Sequence, residues 1–288
     1  MGIVHIPVLL EAVADNLVSD ESNLFVDTTI GGAGHSYYLL ERHRNLKLVG
    51  IDVDEYALTM AEEKLSVFKD RVRLIRGNFS GVKEILNSMG VSSIGSILFD
   101  LGLSTYQMLG KRGFSFNDEA FLDMRMDNRE TLTAYDVVNS YSYDELIRIL
   151  ETYGEENRPF KIARAIIEER KKKPISTAKE LSTIIQKTKK RRGRLNPATK
   201  TFQAVRIEVN SELKNIKTGI TGAIDMLVPK GRIGVISFHS LEDRLIKEAF
   251  KGSPMLKVLT KKPIRPDRLE IKNNPGSRSA KLRIAEKI

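Results

Sequence analysis

Three acids stand at the ends of short apolar runs: Asp27 after LFV, Asp52 after KLVGI and Asp100 after IGSILF. If the runs are parallel strands, their carboxylates gather at the carboxyl edge of one sheet, where open α/β folds bind their ligands. Directly after the first acid comes Gly31-Gly32-Ala33-Gly34-His35, a strand-to-helix loop whose backbone amides can approach a ligand closely. A dinucleotide fingerprint would place its third glycine at position 37, where this chain has Tyr37. Asp52 follows the glycines by about twenty residues, the spacing of a carboxylate that accepts both hydroxyls of a ribose. Phe79, just past a third apolar run, suits the cover of an adenine face and a core position equally well. His239 follows a fifth run in Ser237-Phe238-His239-Ser240, which leaves it between a structural role and a proton-handling or base-contacting one. Glu242 and Asp243 are read as first-turn charges of a helix capped by Ser240.

Cysteine is absent, which excludes disulfides, thiolate metal sites and any cysteine nucleophile. The four histidines, His5, His35, His43 and His239, show no paired ligand spacing, so no metal is expected.

Positioning these residues requires alternating strands and helices. Strands are expected at 24–28, 47–52, 71–77, 94–100, 231–238, 255–262 and 280–288. Helical spacing lies between them, as in Asp54 followed by Leu58, Ala61, Leu65 and Phe68. Such alternation makes a doubly wound sheet, and the last two strands, too close for a helical crossover, form an antiparallel hairpin. Residues 101–130 lack periodicity. Beyond them Ser142 with Glu145 and Thr177 with Glu180 form capping boxes, and a helix runs from Pro159 towards Pro174. A helical domain at 105–210 is therefore expected inside an α/β domain made of 1–104 and 211–288. The segment from Glu212 to Leu227 is expected as a helix closed by Pro229-Lys230-Gly231.

The net charge of +10 is local: residues 161–200 hold fourteen Lys/Arg against three Asp/Glu, and the rest of the chain sums to about −1. Lys171, Lys172 and Lys173, then Lys189, Lys190, Arg191, Arg192 and Arg194, form runs suited to phosphates, and Arg206 is placed to reach RNA or the LDMRMD segment. No stretch has the length and apolarity of a membrane span, and the amino terminus is too acidic for a signal peptide, so a cytoplasmic protein is expected.

Across nearly the whole chain, HIPVLLEAV, the glycine loop ending in GHS, DLGLSTYQ, RGFSF, LDMRMD, YGEE with KIARAI, ATKTFQAVRIEVNSEL, ISFHSLEDR and NPGSRSAKLRIAE occur in order. Together they resemble the bacterial 16S ribosomal RNA cytosine-N(4) methyltransferases. The resemblance implies a class I S-adenosylmethionine-dependent, Rossmann-like fold with a seven-stranded sheet and an inserted all-helical, RNA-recognising domain. It further implies methylation of an exocyclic cytosine amine in the decoding region, with the small-subunit RNA as partner. It carries cofactor contacts onto Ala33, Gly34, His35, Asp52, Phe79, Asp100 and Gln107. Ala33 stands where the family more often has glycine, a change that is compatible unless the backbone there takes a positive φ. Phe121 stands where proline is frequent.

The residue types agree with amine methylation. Attack through cytosine carbon 5 needs a thiolate and zinc deamination needs a Cys pair, and the chain has neither. Methyl transfer to an amine needs positioning and hydrogen-bond acceptors. The acceptor candidates are Asp100, Ser104, and Asp123 or Asp127, with His239 a further candidate. In LDMRMD, Leu122, Met124 and Met126 also suit one buried face. The rivals are a nicotinamide-dependent oxidoreductase, against which the glycine spacing and the basic runs count, and a non-catalytic RNA-binding module with a vestigial crevice.

Overall fold

The computed structural model describes residues 6–19, 21–103, 110–189 and 196–288. Its seven strands are β1 (Leu24–Asp27), β2 (Lys47–Asp52), β3 (Val72–Arg76), β4 (Ile94–Asp100), β5 (Leu227–Ser237), β6 (Leu256–Val258) and β7 (Lys281–Lys287). They form one sheet in the order β3-β2-β1-β4-β5-β7-β6. The first five strands pair in parallel, and β7 runs antiparallel to both neighbours. Consecutive positions of β4 face opposite sides of the sheet, and both sides are covered, which is why IGSILF is apolar at nearly every position; its one polar side chain, Ser96, accepts from the Ser19 amide. Ile97 and Phe99 pack with Ile220 and Ala223 of α10 (Glu212–Met226). Leu98 packs on the other face with Leu17 of α1 (Leu10–Leu17) and Leu39 of α2 (Gly34–Arg42).

The crossover helices start where local chemistry sets them. The Asp54 side chain caps α3 (Glu55–Leu65) by accepting from the Tyr56 amide. Asn78 caps the turn that leads into α4 (Val82–Ser88) by accepting from the Ser80 amide. One expectation is corrected at β5. Pro229-Lys230-Gly231 does not stop a helix ahead of the strand, because the helix ends at Met226 and β5 already begins at Leu227. The three residues form an irregularity inside β5, with Lys230 at φ 60° and a slip in the β4 pairing between Ile94 and Ser96.

The chain divides into two compact units, one made of residues 1–102 with 213–288 and one of 103–212. The second contains α5 (Ala134–Ser140), α6 (Tyr143–Thr152), α7 (Pro159–Lys172), α8 (Ala178–Thr188) and α9 (Thr199–Asn210). Capping boxes at Thr133/Asp136, Ser142/Glu145 and Thr177/Glu180 open α5, α6 and α8. Val137, Leu150, Ile162, Leu181 and Val205 share its buried core. No helix among the described residues is long and apolar enough to cross a membrane.

Candidate active site

In the sheet unit, Asp27, Asp52 and Asp100 all lie at the carboxyl ends of parallel strands, and the loop between β1 and α2 ties them together. Thr28 donates its hydroxyl to the Leu98 carbonyl at 2.8 Å, the Ile30 amide reaches the Ile51 carbonyl at 3.0 Å, and the Gly31 amide reaches Asp52 Oδ2 at 2.9 Å. The Asp100 amide in turn donates to Thr29 Oγ1 at 2.7 Å. Thr29 therefore registers β4 against the loop. Its polar side chain two residues past the strand is the available signal for that role, but position alone does not reveal its partner.

Each acid sits differently. Asp27 is 2% exposed and accepts from the Ser36 hydroxyl at 2.7 Å; burial outweighs that bond and pushes its pKa up to about 6. It serves the loop from beneath. Asp52 is half-buried and uses one oxygen for Gly31 and the other for the Asp54 amide at 2.9 Å. A carboxylate has about four acceptor sites, so two remain for further hydroxyl donors. Burial holds the Asp52 pKa up at about 6 in spite of the backbone donors. Asp100, also half-buried, has one donor among the described residues, the Gly102 amide at 3.4 Å. Burial first, with the nearby charge of Glu242 adding to it, raises its pKa to about 7.

The glycine loop is built for close approach. Gly31 has φ +48°, and a Cβ built on it would meet nothing nearer than 3.8 Å, so the surface above this backbone is open. A Cβ on Gly34 would overlap the Pro7 ring, because the described start of the chain lies against the loop there. Ala33 does adopt the left-handed conformation, φ 55° and ψ 33°, at the N-cap of α2 with its methyl fully buried. The expected condition on this alanine is thus met in the unfavourable sense, at a strain of about 1–2 kcal/mol. The His35 side chain is buried, and its Nε2 lies 2.9 Å from the Val8 carbonyl, so only the His35 backbone remains for a ligand. Desolvation lowers the pKa of this imidazole. Phe79 is half-buried and meets Phe99 edge-on at 5.7 Å, while a Cβ on Gly219 of α10 would come within 3.0 Å of its ring. One side of the ring is therefore core; partial exposure leaves the other available.

His239, rather than Ser240, caps α11 (Ser240–Gly252), in a box with Glu242. Glu242 is 1% exposed, and its Oε2 accepts from the amides of Phe238 and His239 at 2.8 and 3.2 Å. Its Oε1 lies 2.9 Å from His239 Nε2, a close contact not aligned as a hydrogen bond. Asp243 pairs with Arg283 and Lys281 of β7 at 2.7 and 3.0 Å. Glu242 and Asp243 thus serve the start of α11 and its link to β7, and His239 caps the helix.

Other expected residues belong to the helical unit. Asp123 and Asp127 are engaged two residues along their own segment, by Arg125 at 2.6 Å and Arg129 at 2.6 Å. Leu122 and Met124 are fully buried with Met126 packed beside them, as the buried-face alternative requires. Asn210 holds the segment by accepting from the Met126 amide at 2.7 Å and donating to the Met124 carbonyl at 2.8 Å. Phe121 pairs with Thr177 through an isolated bridge. Two residues expected at phosphates have acid partners in the structure. Lys189 is bound to buried Glu156 and to the Pro197 carbonyl, and the Arg206 fork is occupied by Glu212 at 2.8 Å through both nitrogens. Lys171 is exposed, and Lys172 and Lys173 are exposed surface partners of Glu169 and Glu180. Ser104, Gln107, Lys190, Arg191, Arg192 and Arg194 lie outside the described residues.

A doubly wound sheet in this order, closed by one antiparallel strand and carrying a glycine loop and strand-end carboxylates at its carboxyl edge, defines a class I S-adenosylmethionine-dependent methyltransferase. The chain belongs to the MraW methylase family, whose model matches residues 2–288. It is 50% identical over 290 residues to the ribosomal RNA small subunit methyltransferase H of Sulfurihydrogenibium sp. (strain YO3AOP1), covering 99% of both chains. It is 51% identical to the protein of the same name from Persephonella marina, again over 99% of each. With the one from Caldicellulosiruptor saccharolyticus it shares 47% over 305 residues and 99% of each chain.

The crevice fits the class's cofactor. Asp52 keeps acceptor capacity for two ribose hydroxyls, the open backbone at Gly31 admits a close neighbour, and Phe79 offers a partly exposed ring.

Proposed function

We propose that the protein transfers a methyl group from S-adenosylmethionine to the exocyclic N(4) amine of a cytosine in the decoding region of 16S ribosomal RNA, in the small ribosomal subunit and in the cytoplasm. The observation that carries this reading is the half-buried, weakly served carboxylate of Asp100 at the mouth of a class I crevice in a chain of this family. S-adenosylmethionine, when bound, supplies an electrophilic methyl on a sulfonium. Asp52 holds the ribose, the amides of 31–35 border the cofactor, Phe79 covers the base, and Gln107 is assigned a cofactor contact by family likeness. Asp100 accepts an N–H of the cytosine amine. As the nitrogen lone pair leaves conjugation and positive charge develops there, that hydrogen bond strengthens, which is where it assists. Ser104 remains a second acceptor candidate. The arginine pairs of Asp123 and Asp127 favour a structural role for both. The non-catalytic alternative is not favoured, since the crevice keeps all three strand-end acids.

Asp52→Ala is expected to lower cofactor affinity by about 1–3 kcal/mol, because the ribose hydroxyls lose a charged acceptor. The carboxylate must be ionised to accept both, so binding to the wild type weakens as pH falls through about 6, approaching tenfold per pH unit below it. Calorimetry at pH 5 to 8 checks both points; equal affinity in the two proteins, or a flat profile, contradicts the assignment. For the reaction itself, small-subunit RNA incubated with protein and cofactor, then digested to nucleosides, is expected to contain N(4)-methylcytidine by mass spectrometry. Only 5-methylcytidine, or no methylated cytidine, overturns the proposal.

A further inference from the structure

An open groove of about 520 Å³ lies along α7 and α8 of the helical unit, and Phe160, Lys161, Arg164, Glu168, Ile184 and Lys187 line it. Phe160 is 58% exposed at the first turn of α7, next to the half-buried Tyr143, whose hydroxyl donates to the Phe160 carbonyl and so leaves the ring uninvolved. Lys161, Arg164 and Lys187 are exposed, and none has an ion-pair or hydrogen-bonded acid partner among the described residues. The contrast with Lys172, Lys173, Lys189 and Arg206, each on a carboxylate, is direct. Lys161 and Arg164 fall on one side of α7 at i and i+3, so the cations of the groove cluster beside Phe160, and Glu168 at i+7 bounds them on the same side.

An exposed aromatic beside uncompensated cations is the arrangement that binds single-stranded nucleic acid, with a base on the ring and phosphates on the cations. We propose that this groove binds a single-stranded segment of the RNA substrate, stacking one base on Phe160 and placing neighbouring phosphates on Lys161, Arg164 and Lys187. The inference rests on the RNA substrate class proposed above and adds to it a second contact, one that selects unpaired strand. Glu168 and the Glu169–Lys172 pair lie towards the far end of the groove and limit the phosphate track on that side. An acidic protein would use the same cations but would have no need of an exposed ring.

The test uses the full chain and a labelled twelve-nucleotide oligouridylate, with a twelve-base-pair RNA duplex as comparison. Phe160→Ala is expected to weaken single-strand binding between about 5- and 150-fold, the range for loss of one stacked base, with little effect on the duplex. Phe160→Trp restores it. Replacing Lys161, Arg164 and Lys187 by Ala lowers the salt slope of single-strand binding by about 2, at roughly 0.7 for each phosphate contact. Exposure of all four residues predicts unchanged thermal unfolding, and calorimetry predicts unchanged cofactor affinity. Unaltered oligouridylate binding by Phe160→Ala, equal loss for strand and duplex, or competition by poly-glutamate as effective as that by RNA overturns the proposal. Failure of the wild type to methylate small-subunit RNA, with the groove variants still losing oligouridylate, would count against the methyltransferase reading and leave the groove standing.

Discussion

Glu156→Ala is expected to destabilise the helical unit by about 3–5 kcal/mol, the cost of breaking a buried ion pair from one side. Glu156 follows α6, and its carboxylate is 1% exposed; Lys189, just past α8, is 17% exposed by side chain and lies 2.5 and 2.6 Å from its two oxygens. The Thr201 hydroxyl in α9 donates to the same carboxylate at 2.7 Å. One acid therefore joins the ends of two helices to the flank of a third, and its removal leaves a buried hydroxyl without its acceptor and a partly buried ammonium with only the Pro197 carbonyl. Urea unfolding followed by circular dichroism, with amide exchange in α8 and α9 to localise the loss, measures the effect. The double change Glu156→Ala with Lys189→Ala should cost less than the sum of the single ones, since no charge is then stranded. A single-variant loss below about 1 kcal/mol contradicts this account of the pair.

The same pair decides how the basic run is to be probed. Substituting Lys189 together with its basic neighbours would mix a folding defect into any loss of RNA binding. A variant that spares Lys189 separates them.

Asp100→Asn is expected to reduce single-turnover methyl transfer by about 10²–10³, the scale for losing one preorganised partner of a developing charge, while RNA affinity changes little. The amide is nearly isosteric, and the fold relies on the Asp100 backbone, through Thr29, more than on its side chain. The pH profile gives an independent reading. The acid's pKa is raised to about 7, so the accepting, ionised form prevails above that pH and is lost as pH falls through it. Wild-type transfer should therefore rise with pH and level off above about 7, and the variant should lack that limb. Transfer at the wild-type rate, or an unchanged profile in the variant, would remove Asp100 from the reaction.

How much of this was legible in the sequence depended on whether a residue's role is local. The strands, the Asp54 cap and the boxes at Ser142 and Thr177 follow from patterns within a few residues. The placement of Asp27, Asp52 and Asp100 follows from strand ends in a parallel sheet. Partners distant in sequence were not legible. Nothing local shows that Lys189 meets Glu156, 33 residues away, and so a lysine in a basic run looked free for phosphate. Arg206 misled in the same manner, with Glu212 six residues on across a helix break at Ser211, φ 49°. The acids of LDMRMD lie beside arginines in the sequence, yet alternation alone did not show that each would turn back onto its neighbour at i+2. His239 was ambiguous because an imidazole that caps a helix and one that handles a proton occupy the same place after a strand. The groove on α7 is not legible in the sequence, since Phe160 at a helix start has the spacing of a core residue, and only its exposure in the fold separates the two roles.

The central claim is methyl transfer to a cytosine amine of the decoding region through this crevice, and positional mapping of the product tests it most directly. Small subunits lacking the modification are incubated with the wild-type protein and S-adenosylmethionine carrying an isotopically labelled methyl, and the RNA is fragmented and sequenced by tandem mass spectrometry. The account predicts one labelled methyl on the N(4) of a single decoding-region cytosine, with the Asp100→Asn protein giving a small fraction of that yield. Label on ring carbon 5, on a ribose or outside the decoding region would contradict it.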